Sequence, residues 1–202
     1  MRPVFKLLEI DNHQKISDDI YNYLVNHTKL LKFEKYCFFN HISPIHIVQH
    51  VPSLKQFLDN NFLKPTVTAV IVVPPGLENN LHADVDYPYV RVLWPIKHCQ
   101  GSLTKMFDVP RECLKLHFQD EGVGGTFDPA QATSFFYQIV EQRDWPLIHE
   151  FELSQPVLMD VSVAHEVHPA PDATEHRISF TMGFDHDLPI SKSIEAWSEL
   201  GY

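Results

Sequence analysis

Thr66-Val67-Thr68-Ala69-Val70-Ile71-Val72-Val73 is dense in β-branched residues and stops at Pro74-Pro75-Gly76. Branched side chains suit a pleated surface better than a helix, so the run reads as a strand closed by a turn. The same texture continues downstream, with β-rich runs at 89–96, 103–109, 114–118, 134–140, 157–167 and 177–184 separated by turn residues. Short strands so spaced indicate a mostly β (α+β) chain built on an antiparallel sandwich or barrel, not on alternating βαβ units. Upstream the pattern differs. Residues 4–10 read as a short strand, and Asp11 or Asn12 can then cap a helix whose apolar positions are Ile16, Ile20, Tyr23, Leu24 and Leu31. A second helix follows Pro52, burying Leu54, Phe57 and Leu58; proline is tolerated in a first turn because its missing N–H has no partner there. Ile190, Ile194 and Trp197 mark an amphipathic helix over 189–200. With no repeat and no Gly/Ser linker, one domain is expected over 1–202: a helix-and-strand support over 1–65, a β core over 66–185 and a C-terminal helix over 186–202.

The 202 residues include 16 Lys+Arg and 26 Asp+Glu, a formal net charge of −10, with 44% hydrophobic and 21% charged residues. A chain of this size can bury roughly 70% of the surface that its unfolded form exposes, and the balance is that of a globular protein. The acidic excess and the lack of any basic run argue against nucleic acid as a partner, because a phosphate backbone calls for clustered Lys and Arg. No apolar stretch approaches the ~20 residues that cross a bilayer. Met1 to Ile10 lacks the apolar core and cleavage site of a signal peptide, so a cytoplasmic protein is expected. Cys37, Cys99 and Cys113 never stand in C-x-x-C spacing, and reduced thiols are expected rather than a disulfide framework.

Thirteen histidines are the unusual feature of the composition. In Leu81-His82-Ala83-Asp84, alternation along an extended chain projects His82 and Asp84 from one face, so an imidazole nitrogen and a carboxylate oxygen can reach a single point. Late in the chain, Val157-Leu158-Met159-Asp160-Val161-Ser162-Val163-Ala164-His165-Glu166-Val167-His168 reads as one strand ending in histidines. Pro169-Ala170-Pro171-Asp172 turns it, and Arg177-Ile178-Ser179 opens the returning strand with Arg177 and Ser179 on one face. Two histidines and one carboxylate on one side of a metal form a facial triad that leaves positions open for a bidentate acid and dioxygen. Arg177 offers a rigid fork suited to a carboxylate, and the Ser179 hydroxyl a second donor.

On these residues the chain resembles the Fe(II)/2-oxoglutarate-dependent oxygenases, whose pattern is H-x-D, a distal His and R-x-S. The flank Val92-Leu93-Trp94-Pro95-Ile96-Lys97, leading through Cys99 to Ser102 and Thr104, resembles the strand after H-x-D in small bacterial and phage-type members. The resemblance covers about 66–185 and implies a double-stranded β-helix (jelly-roll, cupin-like) core. It further implies iron(II) on His82, Asp84 and His165 as the catalytic centre. The 2-oxoglutarate cosubstrate would be held through its distal carboxylate by Arg177 and Ser179. Dioxygen would then be consumed, succinate and carbon dioxide released, and the substrate most often hydroxylated. His165 lies twelve residues before Arg177 and His168 nine. The family's usual interval falls between the two, so His168 stands as the alternative ligand to His165.

A chain this short has little room for a recognition domain, which favours a small molecule or one exposed side chain as substrate. Two other classes stay open: a cupin-like metal protein without 2-oxoglutarate chemistry, and a non-catalytic binding module on the same fold. The remaining histidines, including His13, His27, His41, His46, His50, His98, His117, His149, His176 and His186, show no ligand spacing and read as surface, capping or packing residues. Gly122-Val123-Gly124-Gly125 reads as a turn, because no helix with Lys-Ser/Thr follows it. Trp94 and Tyr89 read as core residues.

Overall fold

A computed structural model describes residues 3–27, 29–35, 37–77, 81–84, 89–118, 136–140, 143–184 and 188–202; Gly122 to Gly125 and His186 lie outside them. Twelve strands are present among the described residues: β1 (Phe5–Leu7), β2 (Phe38–His41), β3 (Pro65–Val73), β4 (His82–Asp84), β5 (Val90–Lys97), β6 (Leu103–Phe107), β7 (Leu114–Phe118), β8 (Phe136–Val140), β9 (Leu147–Glu152), β10 (Val157–Asp160), β11 (His165–His168) and β12 (Arg177–Phe184). Four α-helices accompany them: α1 (His13–Asn26), α2 (Pro44–His50), α3 (Pro52–Asn60) and α4 (Ile190–Glu199). The strands form two six-stranded sheets, in the orders β1-β10-β5-β12-β3-β2 and β7-β8-β4-β11-β6-β9, with antiparallel pairing throughout. The result is a β-rich α+β fold. No described helix is long and apolar enough to cross a membrane.

The larger core lies between the first sheet and the helices. Ile20 and Leu24 of α1, Ile47 of α2, Leu54 and Leu58 of α3 and Trp197 of α4 pack there against Val70, Val72, Val92, Trp94, Phe180 and Met182. Tyr89, by contrast, is 41% exposed at the mouth of β5, outside the core expected for it. Trp94 is fully buried, and its indole N–H donates to Ser17 Oγ at 3.0 Å, while that hydroxyl donates to the Pro95 carbonyl at 2.6 Å. Trp94→Ala removes the largest fully buried side chain among the described residues and leaves Ser17 short of a donor. It is expected to cost about 3–5 kcal/mol, read as a lowered urea midpoint at unchanged m-value.

Every residue of β12 is buried, which the alternation of its sequence explains. Ile178, Phe180, Met182 and Phe184 enter the helix-side core. Arg177, Ser179 and Thr181 therefore occupy the opposite face, toward the second sheet, and all three are buried there. A smaller apolar cluster fills part of that inter-sheet space, with Val157 and Met159 of β10 against Met106 of β6 and Phe151 of β9.

Several expectations need correction. The run 157–167 is not one strand: β10 belongs to the first sheet, β11 to the second, and Val161-Ser162-Val163 turns between them. Asp160 makes the break. Its Oδ1 accepts from the Ser162 N–H at 3.1 Å and from the Ser162 hydroxyl at 2.5 Å, an Asx-type turn that replaces ladder bonds with local ones. Asn12 precedes α1 in the left-handed region (φ 58) without a side-chain cap bond, and α1 ends before Leu31. The first strand shortens to Phe5–Leu7, and β2, α2 and β9 were not foreseen.

Candidate metal centre

Three short elements bring the site together. β4 contributes His82 and Asp84 from one face, and β11 pairs with it so that His165 stands directly opposite His82. Directly opposed residues in an antiparallel pair hold their Cβ atoms about 5 Å apart, so this register alone places two imidazoles within reach of one ion. Their ring centroids are 4.4 Å apart. The Asp84 N–H donates to the Val161 carbonyl at 2.8 Å, tying the H-x-D strand to the turn that delivers His165.

One ligand atom from each of His82, Asp84 and His165 lies within 4.8 Å of the other two, the only such group of three or more His, Cys, Asp or Glu among the described residues. His168 is not part of it. Glu166 and His168 project from the other face of β11 and pair with each other, Nε2 to Oε1 at 2.6 Å. His165 Nδ1 donates to the Val163 carbonyl at 2.8 Å, because a carbonyl can only accept. That bond selects the tautomer with a lone pair on Nε2, the arrangement that orients a metal-binding imidazole. His165 is buried, whereas the side chains of His82 and Asp84 are 18% and 25% exposed, so the group opens to solvent on their side. Two imidazoles and one carboxylate suit a divalent first-row metal, and three protein ligands leave coordination positions open, unlike the closed four-ligand set of structural zinc.

Arg91 was missed in the sequence, although a guanidinium inside Val90-Arg91-Val92-Leu93-Trp94 is the mark of a buried polar role. From β5 in the first sheet it reaches across to Asp84, Nη1 to Oδ2 at 3.5 Å, and is itself only 3% exposed. The carboxylate is thus divided, with Oδ2 toward Arg91 and Oδ1 toward His82 Nε2 at 3.8 Å. Arg91→Met is expected to lower divalent-metal affinity about 10–100-fold, the usual effect of removing a group that orients a ligand. Calorimetric titration of the metal-free chain reads this directly.

Burial pushes the His165 imidazole down to about 4, the His82 ring adding to the effect; burial does the same to His41, also to about 4, with a smaller push from Arg91. The unfolded chain therefore binds protons between about pH 6.5 and 4 that the folded chain excludes. Stability from these groups is complete above pH 6.5 and is lost as the pH falls toward 4. The slope is up to about 1.4 kcal/mol per pH unit for a buried imidazole, and less for the half-buried His41. Urea midpoints of the metal-free chain should fall between pH 7 and pH 5, and equal midpoints would mean that water reaches both rings.

Arg177 and Ser179 sit on the inter-sheet face, 2% and 0% exposed. Arg177 Nη1 donates to Ser179 Oγ at 3.1 Å, but Nε and Nη2 are buried with no hydrogen-bond partner among the described residues. Nε and Nη2 make up the edge of a guanidinium that grips a carboxylate through two parallel N–H···O bonds. A buried charge left unpaired is costly, and an anionic occupant would satisfy it.

No family model matches the sequence, and no curated protein matches it. Among solved structures, the chain is similar to AviO1 from Streptomyces viridochromogenes, with 11% identity over 93% of both chains and a TM-score of 0.46. It is similar to ThoJ, a non-heme monooxygenase in its apo form, with 16% identity over 90% of this chain and 72% of that one, at a TM-score of 0.43. E. coli ycfD shares 12% identity over 84% of this chain and 40% of its own length, at a TM-score of 0.40. The functional reading therefore rests on the residues of this chain.

Proposed function

We propose that the chain is an Fe(II)- and 2-oxoglutarate-dependent dioxygenase whose two sheets form a double-stranded β-helix. His82, Asp84 and His165 would hold the iron, and Arg177 with Ser179 would hold the distal carboxylate of the 2-oxo acid. The observation that carries the reading is the unpartnered Nε/Nη2 edge of buried Arg177. A His/Asp metal group alone serves many chemistries, whereas a buried guanidinium fork on the first sheet, turned toward the sheet that carries that group, would suit the far carboxylate of a dianionic acid.

When bound, iron with the 2-oxo acid supplies the dioxygen chemistry, in which the acid becomes succinate and carbon dioxide and one oxygen atom enters the substrate. The chain's own residues do the rest. Arg177 fixes the acid's orientation, Arg91 orients Asp84, and burial of His165 keeps its Nε2 unprotonated at neutral pH. Substrate would approach from the partly exposed side of His82 and Asp84, and a small molecule or a single side chain is the class of substrate expected there. Free Cys37, Cys99 and Cys113 accord with a cytoplasmic setting.

The test is anaerobic addition of iron(II) and 2-oxoglutarate, followed by air. A visible absorption band without oxygen, then succinate release that His82→Ala abolishes, is the expected result. Iron uptake with neither band nor succinate would replace this reading with a cupin-like metal protein, and no iron uptake would leave a binding module.

A further inference from the structure

One sulfur atom beside the metal centre has no part in the proposed reaction. The β6–β11 register sets Met106 directly opposite His165, and His165 stands directly opposite His82, so the three form one row across the second sheet. The Phe107 N–H donates to the Ala164 carbonyl at 2.9 Å and holds that register. Directly opposed residues of an antiparallel pair share a face, with Cβ atoms about 5 Å apart. The Met106 side chain therefore stands next to a ligand of the metal. It is fully buried and belongs to the inter-sheet cluster with Val157, Met159 and Val161.

Among the described residues of that cluster three carry sulfur, and Met106 alone of them is on the sheet that supplies the ligands. Met159 lies on β10 of the first sheet, and Cys99 follows β5, its thiol donating to the Ile178 carbonyl at 3.0 Å. A thioether takes up an oxygen atom at a sulfur lone pair without breaking a bond, whereas Val157, Val161 and Phe151 offer only carbon–hydrogen bonds. Oxidant arriving from solvent reaches exposed sulfur first. Met106, Met159 and Met182 are 0%, 1% and 0% exposed, so exposure does not distinguish them. Selective oxidation of Met106 would report its place beside the metal.

We propose that Met106 is a self-modification site, oxidised to the sulfoxide when dioxygen and 2-oxoglutarate react at the centre with no substrate present. The inference rests on the oxygenase reading above. The 2-oxo acid loses carbon dioxide and takes one atom of dioxygen as it becomes succinate, and the other atom bonds to Met106 Sδ. The acid and the thioether each supply two of the four electrons that dioxygen takes up. No bond to sulfur breaks and no proton is released.

The full chain is loaded anaerobically with iron(II) and 2-oxoglutarate, exposed to air with no other substrate, and mapped by peptide mass spectrometry. The peptide containing Met106 should gain about 16 Da, with the added atom carrying the isotope label of the dioxygen supplied. Met159 and Met182 should stay unmodified. His82→Ala should show no gain, and Met106→Leu, a swap of similar volume, should release succinate without the adduct. Succinate release with Met106 unmodified, or with Met159 or Met182 modified to the same extent, overturns the inference and leaves the oxygenase reading standing. Absence of succinate removes that reading, and this inference with it. A second measurement needs no turnover. In a chain with isotope-labelled methionine methyl groups, cobalt(II) should shift and broaden the signal that Met106→Leu removes more than that of Met182, which faces the helix-side core. Equal effects on the two, or none on Met106, would place the thioether away from the metal and overturn the site.

Discussion

Arg177→Met should stabilise the ligand-free chain and at the same time destroy its affinity for a 2-oxo diacid. The two effects have opposite signs because they report the same atom pair. In the free chain, Nε and Nη2 are buried without partners, so an apolar side chain of similar volume removes an uncompensated charge. Among the described residues, the hydrogen bond given up is the one from Nη1 to Ser179. A gain of about 1–2 kcal/mol in unfolding free energy is expected by urea denaturation. With the acid present, the same change strands a carboxylate in a dry interior. Losing one partner of such a pair costs about 2–4 kcal/mol, or about 30–1,000-fold in Kd. Metal uptake should be unaffected, and Arg177→Lys should recover charge but not the two-point grip. An unchanged Kd for 2-oxoglutarate would mean that a different cation anchors it.

His165→Ala and His168→Ala should separate completely, although the residues are three apart. Structural zinc in finger peptides binds with about 10–16 kcal/mol spread over four ligands, so each ligand carries about 2.5–4 kcal/mol. His165→Ala should therefore weaken cobalt(II) or iron(II) binding about 10²–10³-fold. His168→Ala breaks a hydrogen bond with Glu166 on the opposite face of β11 and should leave affinity within about twofold. Equal losses in the two variants would show that β11 does not present His165 alone to the metal.

The contrast between those two histidines marks where sequence reading stops. Spacing to Arg177 left both open, because a hairpin turn absorbs extra residues at little cost. What separates them is the Asx turn at Asp160 and Ser162, which ends β10 and starts β11 in register with β4. Val161 and Val163 make that stretch look like continuous strand, and only a side chain competing for the backbone interrupts it. Arg91 escaped for another reason. Its partner, Asp84, is seven residues away but lies in the other sheet, a relation that no local pattern encodes.

Local chemistry was enough for the β-rich character of the described residues after 65, the shared face of His82 and Asp84, and the shared face of Arg177 and Ser179, because alternation is a property of an extended backbone alone. Packing of one layer on another decided the remainder: which histidine faces inward, that Arg177 is buried with an open edge, and that Met106 stands beside His165. Those relations join residues far apart in the chain, and loop closure together with burial, rather than propensity, sets them.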